Sequence, residues 1–259
     1  MRELELTHSK YFLIFVFTIS IFFNLGNFEI FLSNNNISNL ICFFLIASIG
    51  VSHGSLDNFK GRKLFNIYKI KNFLFFYISY ISISIFIIVI WVSFPNLTLL
   101  IFLIIAAYHF GKEDGISAFI NLPAKDFLYF LRGSIIILAP LVLHTDETIQ
   151  IFNFLSGPKS AETIYLLKEL KVFEIYLFLS VIICHFVFTK SSFSYNLDAL
   201  SIIALNYCFE PFLAFTIYFC FLHSIRHILS LSSELNKKSI KKGLCLFLGK
   251  SIPLTIITA

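Results

Sequence analysis

The chain has 259 residues, of which 58% are hydrophobic and only 14% charged, with a mean hydropathy of +0.85 and a formal net charge of +5. A water-soluble domain carries roughly 25% charged residues, so there are too few charges here to coat a surface facing water. This excludes a soluble enzyme, a disordered tail and a nucleic-acid binder, and points to a single integral membrane domain over residues 1–259.

A membrane-spanning helix needs about 20 mostly apolar residues. Apolar runs occur, in chain order, at Tyr11–Leu32, Leu40–Ser55, Phe73–Phe94, Leu97–Phe110, Phe127–Leu143, Val172–Phe188, Leu197–Phe209 and Phe212–Leu231. A last run starts at Leu244 and reaches Ala259. The first is too long for a cleaved signal and has no small-residue cleavage site, so it is kept as a span. The seventh is weak, because Asp198 opens it and Asn206 interrupts it. The pattern predicts an all-α polytopic membrane bundle of about eight spans plus a partial C-terminal one. The runs are continuous rather than alternating, which excludes a closed β-barrel. A short surface helix is expected between His144 and Lys171, and Pro140 and Pro211 are expected to kink or start helices. The five cysteines lie in or beside apolar runs with no CxxC spacing and read as small apolar filler.

Lysine and arginine orient the chain. Alternating sides from a cytoplasmic N-terminus gathers fourteen of the twenty on the cytoplasmic face, including the clusters Lys60–Lys71 and Lys237–Lys242. Three fall on the other face, and Arg132, Arg226 and Lys250 lie within runs. The asymmetry supports the weak seventh run, since dropping it would send the last lysine cluster to the wrong side.

Among seven histidines, His8 reads as a solvated residue of the N-terminal tail and His144 belongs to the external face. His53, His109, His223 and His227 all fall in the cytoplasmic half, on the second, fourth and eighth runs, each travelling inward. His223 and His227 share one helix face through their i, i+4 spacing. Four imidazoles at one depth suit a transition metal. A metal-free cluster would leave buried ring nitrogens unpaired at about 1–3 kcal/mol each. Asp57 and Glu113 stand at i+4 from His53 and His109, where a carboxylate can fix the tautomer of a metal-bound ring. Alternatively, the two carboxylates mark the interface beside the lysines. His185 lies at the same depth without a neighbouring carboxylate and reads as packing. Arg132 either snorkels or pairs with Asp57, Glu113 or Asp114, and Arg226 calls for a buried ion-pair partner that the sequence does not name.

These motifs, Gly50-x-x-His53-Gly54-x-x-Asp57, His109-Phe-Gly, Arg132-Gly133 and His223-Ser-Ile-Arg-His227, resemble those of the bacterial and archaeal β-carotene 15,15′-dioxygenases. The likeness covers nearly the whole chain. It implies cleavage of the central double bond of β-carotene with O2 to give two retinal molecules, and a ferrous ion, Fe(2+), held by His53, His109, His223 and His227. It further implies a multi-pass protein of the bacterial inner membrane, with retinal passing to a rhodopsin. Members usually continue beyond their last proline-containing apolar segment, whereas this chain stops soon after Pro253, so a truncated C-terminus is expected. Two other classes remain open. A bis-histidine haem protein would place its ligands on two helices either side of a haem plane, and a Soret band would identify it. A transporter or structural membrane protein would use the histidines to relay protons or bridge helices.

Overall fold

Long apolar stretches broken by Pro, Asn and Lys fold as helices because in hydrocarbon every backbone N–H and C=O must be satisfied within its own segment. The computed structural model describes residues 2–25, 35–119, 124–157, 171–188 and 193–258. Within the helices, the side chains of residues 2, 24–25, 35–36, 51–53, 116–119, 194, 254–255 and 257–258 lie outside the description.

Among the described residues every regular element is a helix: α1 (Arg2–Leu25), α2 (Asn35–Gly54), α3 (Asp57–Ile67), α4 (Leu74–Ser93), α5 (Pro95–Phe119), α6 (Lys125–Leu143), α7 (Thr145–Ser156), α8 (Lys171–Phe188), α9 (Phe193–Cys208), α10 (Pro211–Ile217), a π-helical segment (Tyr218–His223), α11 (Ser224–Leu235) and α12 (Ile240–Thr258). Six are long and apolar enough to cross a membrane: α1, α4, α5, α6, α8, and the continuous stretch Pro211–Leu235 formed by α10, the π segment and α11. The second and seventh expected runs form α2, whose apolar part is Ile37–Gly50, and the 16-residue α9.

Several boundaries depart from the hydropathy reading. Helix α1 begins at Arg2, well before Tyr11, so Glu5, His8 and Ser9 are helical. Ser9 is buried and His8 half-buried, not solvated, because this polar turn packs onto a buried ionic cluster described below. The lysine-rich Lys60–Lys71 segment forms α3 for much of its length, with the Arg62 guanidinium 4.5 Å from the centre of the Phe73 ring. The expected surface helix is α7, which stops at Gly157 with φ of 78°, a left-handed value that glycine alone adopts cheaply. Residues 158–170 of that connection lie outside the description. Pro211 starts α10 and Pro140 lies inside α6.

Helices α5 and α6 approach one another closely. A Cβ added at Gly111 would land on the Tyr129 carbonyl oxygen, and one added at Gly133 on the Ala107 carbonyl oxygen. Each glycine admits the other backbone, the small-residue solution that membrane helices use where lipid removes the hydrophobic drive to associate. The main core gathers α1, α6, α8, α9, α10 and the π segment around residues such as Val16, Ile135, Ala139, Ile202, Leu205 and Leu222. A smaller core of Leu56, Leu231 and Phe247 ties the α2–α3 turn to α11 and α12.

Candidate metal centre

Helix α5 and the Pro211–Leu235 stretch bring three of the four expected histidines together. The His109 and His223 ring centres are 5.7 Å apart, and those of His223 and His227 are 6.4 Å apart with the rings nearly parallel at 20°. An imidazole nitrogen sits about 2 Å from a bound metal, so two rings on one ion have centres within roughly 6.5 Å. The separations are therefore of the right order. Among the described residues, no three His, Cys, Asp or Glu side chains already stand in a metal-holding arrangement. His53 sits in the last turn of α2, and its side chain lies outside the description.

Two adjacent carboxylates of α5 orient the α11-side rings. His223 Nδ1 lies 2.9 Å from Asp114 Oδ1, and His227 Nδ1 lies 3.2 Å from Glu113 Oε2. A carboxylate on Nδ1 favours the tautomer protonated there, so coordination would run through Nε2. This donor set, with its outer carboxylates, fits a transition metal. The pairing also corrects the within-helix expectation, since Glu113 serves His227 and not His109. The reason is register. The helices run side by side in the same direction, and Glu113 and Asp114 project across to the neighbouring helix rather than back along their own. Asp57 is corrected as well. Helix α2 ends at Gly54 and Asp57 begins α3, so the two do not share a helix face, and Asp57 Oδ2 accepts a hydrogen bond from Tyr80 Oη at 3.1 Å.

The trio is buried on one side and open on the other. His223 is 1% exposed, with Phe110 edge-on at 4.9 Å and Phe219 stacked at 5.7 Å between ring centres. His227 is buried too, whereas His109 is exposed on the lateral surface of the bundle. A separate apolar cleft of about 640 Å³ lies between α5, α6, α7 and α8, lined by residues that include Leu103, Ala107, Ser134 and Leu138. None of the histidines lines it. At 100° per residue Ala107 and His109 face opposite sides of α5, so the cleft and the imidazoles are separated by that helix.

Beneath the histidines lies a buried ionic cluster. Arg226 donates to both oxygens of Asp198, at 2.7 and 2.9 Å, to Ser9 Oγ at 2.7 Å and to the Asp114 carbonyl at 3.2 Å. Arg132 donates to Asp198 Oδ2 at 2.8 Å and lies over the Tyr195 ring. Asp198 is fully buried and Arg132 is 2% exposed. Arg132 therefore neither snorkels nor pairs with Asp57, Glu113 or Asp114. Arg226 has the buried partner it was expected to need. Sequence reasoning missed Asp198, which looked like a defect in a weak span, although a lone acid beside two intramembrane arginines was a usable signal.

The remaining histidines lie elsewhere. His144 caps the far end of α6, with Nε2 2.7 Å from the Asn206 carbonyl of α9. His185 is buried on α8, its ring centre 5.5 Å from that of Phe186, apart from the trio.

Comparison with known proteins points to one family. A family model described as Beta-carotene 15,15′-dioxygenase matches residues 44–259, a stretch that contains His53, His109, His223 and His227. A protein named Beta-carotene 15,15′-dioxygenase from uncultured marine bacterium 66A03 is 30% identical over 219 residues, covering 82% of this chain and 74% of that relative. No solved structure matches. The chain belongs to the β-carotene 15,15′-dioxygenase family and is a carotenoid-cleaving oxygenase of multi-pass helical architecture.

Proposed function

We propose that the protein splits the central 15,15′ double bond of β-carotene with O2, each half taking one oxygen atom as the aldehyde of retinal, at an iron(II) centre. The observation that carries this reading is the gathering of His109, His223 and His227, two of them with a carboxylate on Nδ1. His53, His109, His223 and His227 would hold the metal. Iron(II) bound there supplies the redox chemistry that makes O2 reactive toward a closed-shell polyene.

The chain's own residues do the rest. Asp114 and Glu113 fix the rings of His223 and His227 before the metal arrives. Four neutral imidazoles bring no negative charge to the ion, the charges of Arg132, Arg226, Asp114 and Asp198 balance among themselves, and Glu113 adds one negative charge beside His227. The aromatic rings of Phe110, Phe215 and Phe219 beside His223 form a dry, apolar wall against which a polyene can lie. The exposed flank at His109 faces lipid, where β-carotene dissolves, so substrate reaches the site sideways and retinal leaves the same way. A membrane protein that binds retinal, such as a rhodopsin, would take it from the bilayer. In this reading the N-terminus is cytoplasmic and the membrane is the bacterial inner membrane.

The test is expression in cells that accumulate β-carotene. Retinal is expected to appear as the orange colour fades, and alanine at His53, His109, His223 or His227 is expected to stop both, with His144→Ala and His185→Ala retaining cleavage. Unchanged cleavage in one of the four variants would remove that residue from the ligand set. A Soret band in the purified protein would replace the reading with a haem one.

A further inference from the structure

Asp114 is held at both oxygens. Its Oδ1 meets His223 Nδ1, and its Oδ2 accepts a hydrogen bond from the phenol of Tyr218 at 2.6 Å. Tyr218 is 2% exposed and Asp114 equally so. Glu113, by contrast, sits at the rim with its side chain 21% exposed, and its contact with His227 is longer at 3.2 Å. Asp114 is thus held on the oxygen that His223 leaves free by a buried phenol, whereas Glu113 meets its imidazole at the rim.

Tyr218 and His223 are the two ends of the π-helical segment. In an α-helix, residues five apart point about 140° away from each other. A π-helix, with its wider i→i+5 turn, brings i and i+5 onto one face, so both side chains reach one carboxylate. Short π segments are uncommon and recur at functional sites. Here the unusual register has an identifiable consequence, which is that a phenol and an imidazole clamp Asp114 from one helix. Arg226, one turn beyond His223, donates to the Asp114 carbonyl and fixes the backbone of the same residue.

We propose that Tyr218 is a positioning residue for the metal centre. It locks the rotamer of Asp114, which in turn locks the ring orientation of His223, and the π segment exists to make that three-residue chain. The inference rests on the metal reading above. In this reading Tyr218 is not a ligand, and its hydroxyl acts through Asp114.

The test compares wild type, Tyr218→Phe, Asp114→Asn and the double variant, each purified in detergent. Iron(II) affinity is measured by competition with a chelator, and the electron paramagnetic resonance spectrum of the ferrous protein is recorded with nitric oxide as a probe. Melting of the metal-free proteins reports on folding alone. Losing an outer hydrogen bond of this kind typically weakens metal binding 10–100-fold. Tyr218→Phe is expected to lower affinity about 10-fold and to change the rhombicity of the nitrosyl signal. On the Asp114→Asn background, the same change is expected to add nothing, because the link it acts through is gone. Wild-type affinity and an unchanged spectrum in Tyr218→Phe would overturn the proposal, even if the melting temperature fell. Equal and additive losses in the two single variants would also overturn it. Should Tyr218→Phe fail to fold, Asp114→Asn reads the link from the other end: an unaltered nitrosyl spectrum there overturns it too. A wild-type protein that binds no iron would instead sink the metal reading itself.

Discussion

Helix α4 and the Pro211–Leu235 stretch are both long enough to cross a membrane, and they are opposites. No residue of α4 is buried, whereas 56% of the most apolar part of the Pro211–Leu235 stretch is. Helix α4 is the most apolar of the spans, and its Ile81, Ile85, Phe86 and Val92 all point outward. The other stretch carries Thr216, His223, Ser224, Arg226, His227 and Ser232, all of them buried. In a membrane the usual rule inverts. The most apolar helix, α4, is left outward where lipid can solvate it, and the stretch that carries two histidines and an arginine turns them toward protein, because only protein can satisfy such side chains. Hydropathy alone therefore finds the spans but does not say which of them carries the site.

That contrast can be broken at three places. The largest effect is expected at Asp198. Replacing it with Ala leaves two arginines buried without their shared carboxylate, a loss of about 3–5 kcal/mol. Thermal unfolding of detergent-solubilised Asp198→Ala is expected to show a collapse in stability or yield, and a melting point like wild type would show the cluster to be hydrated rather than dry. Next comes Gly133→Ala, whose Cβ meets the Ala107 backbone of α5, where no side chain can move aside. Overpacking of this kind costs roughly 1–3 kcal/mol. It is also expected to lower retinal yield by shifting Glu113 and Asp114 against their histidines. The smallest effect is expected for Ile85→Ala on α4, within about 0.5 kcal/mol and with wild-type cleavage, since it removes only lipid contact. A large loss there would mean that α4 packs against protein in the membrane.

Six of the expected spans and the nearness of His109, His223 and His227 were legible, because both follow from local composition and from counting turns. The pairings across helices were not. Glu113 has a local candidate, His109, four residues back, and the i+4 rule favours it. The register between α5 and α11, which assigns Glu113 to His227, is a property of two helices more than a hundred residues apart in the chain. Asp198 bridges residues 28 and 66 positions away and reads in isolation as a flaw in a short span. Tyr218 was hidden for a different reason. Its five-residue spacing to His223 matches no α-helical face, and the π register that brings them together leaves no mark in the hydropathy pattern. His8 was misplaced because a polar turn at a chain end looks solvated until the ionic cluster it packs onto is known.

X-ray absorption at the iron edge of the purified, iron-loaded protein tests the central claim most directly. The account predicts one iron per chain with about four nitrogen scatterers near 2.1 Å and the outer-shell pattern of imidazole rings. A spectrum without imidazole scattering, or dominated by sulfur or porphyrin, would contradict it.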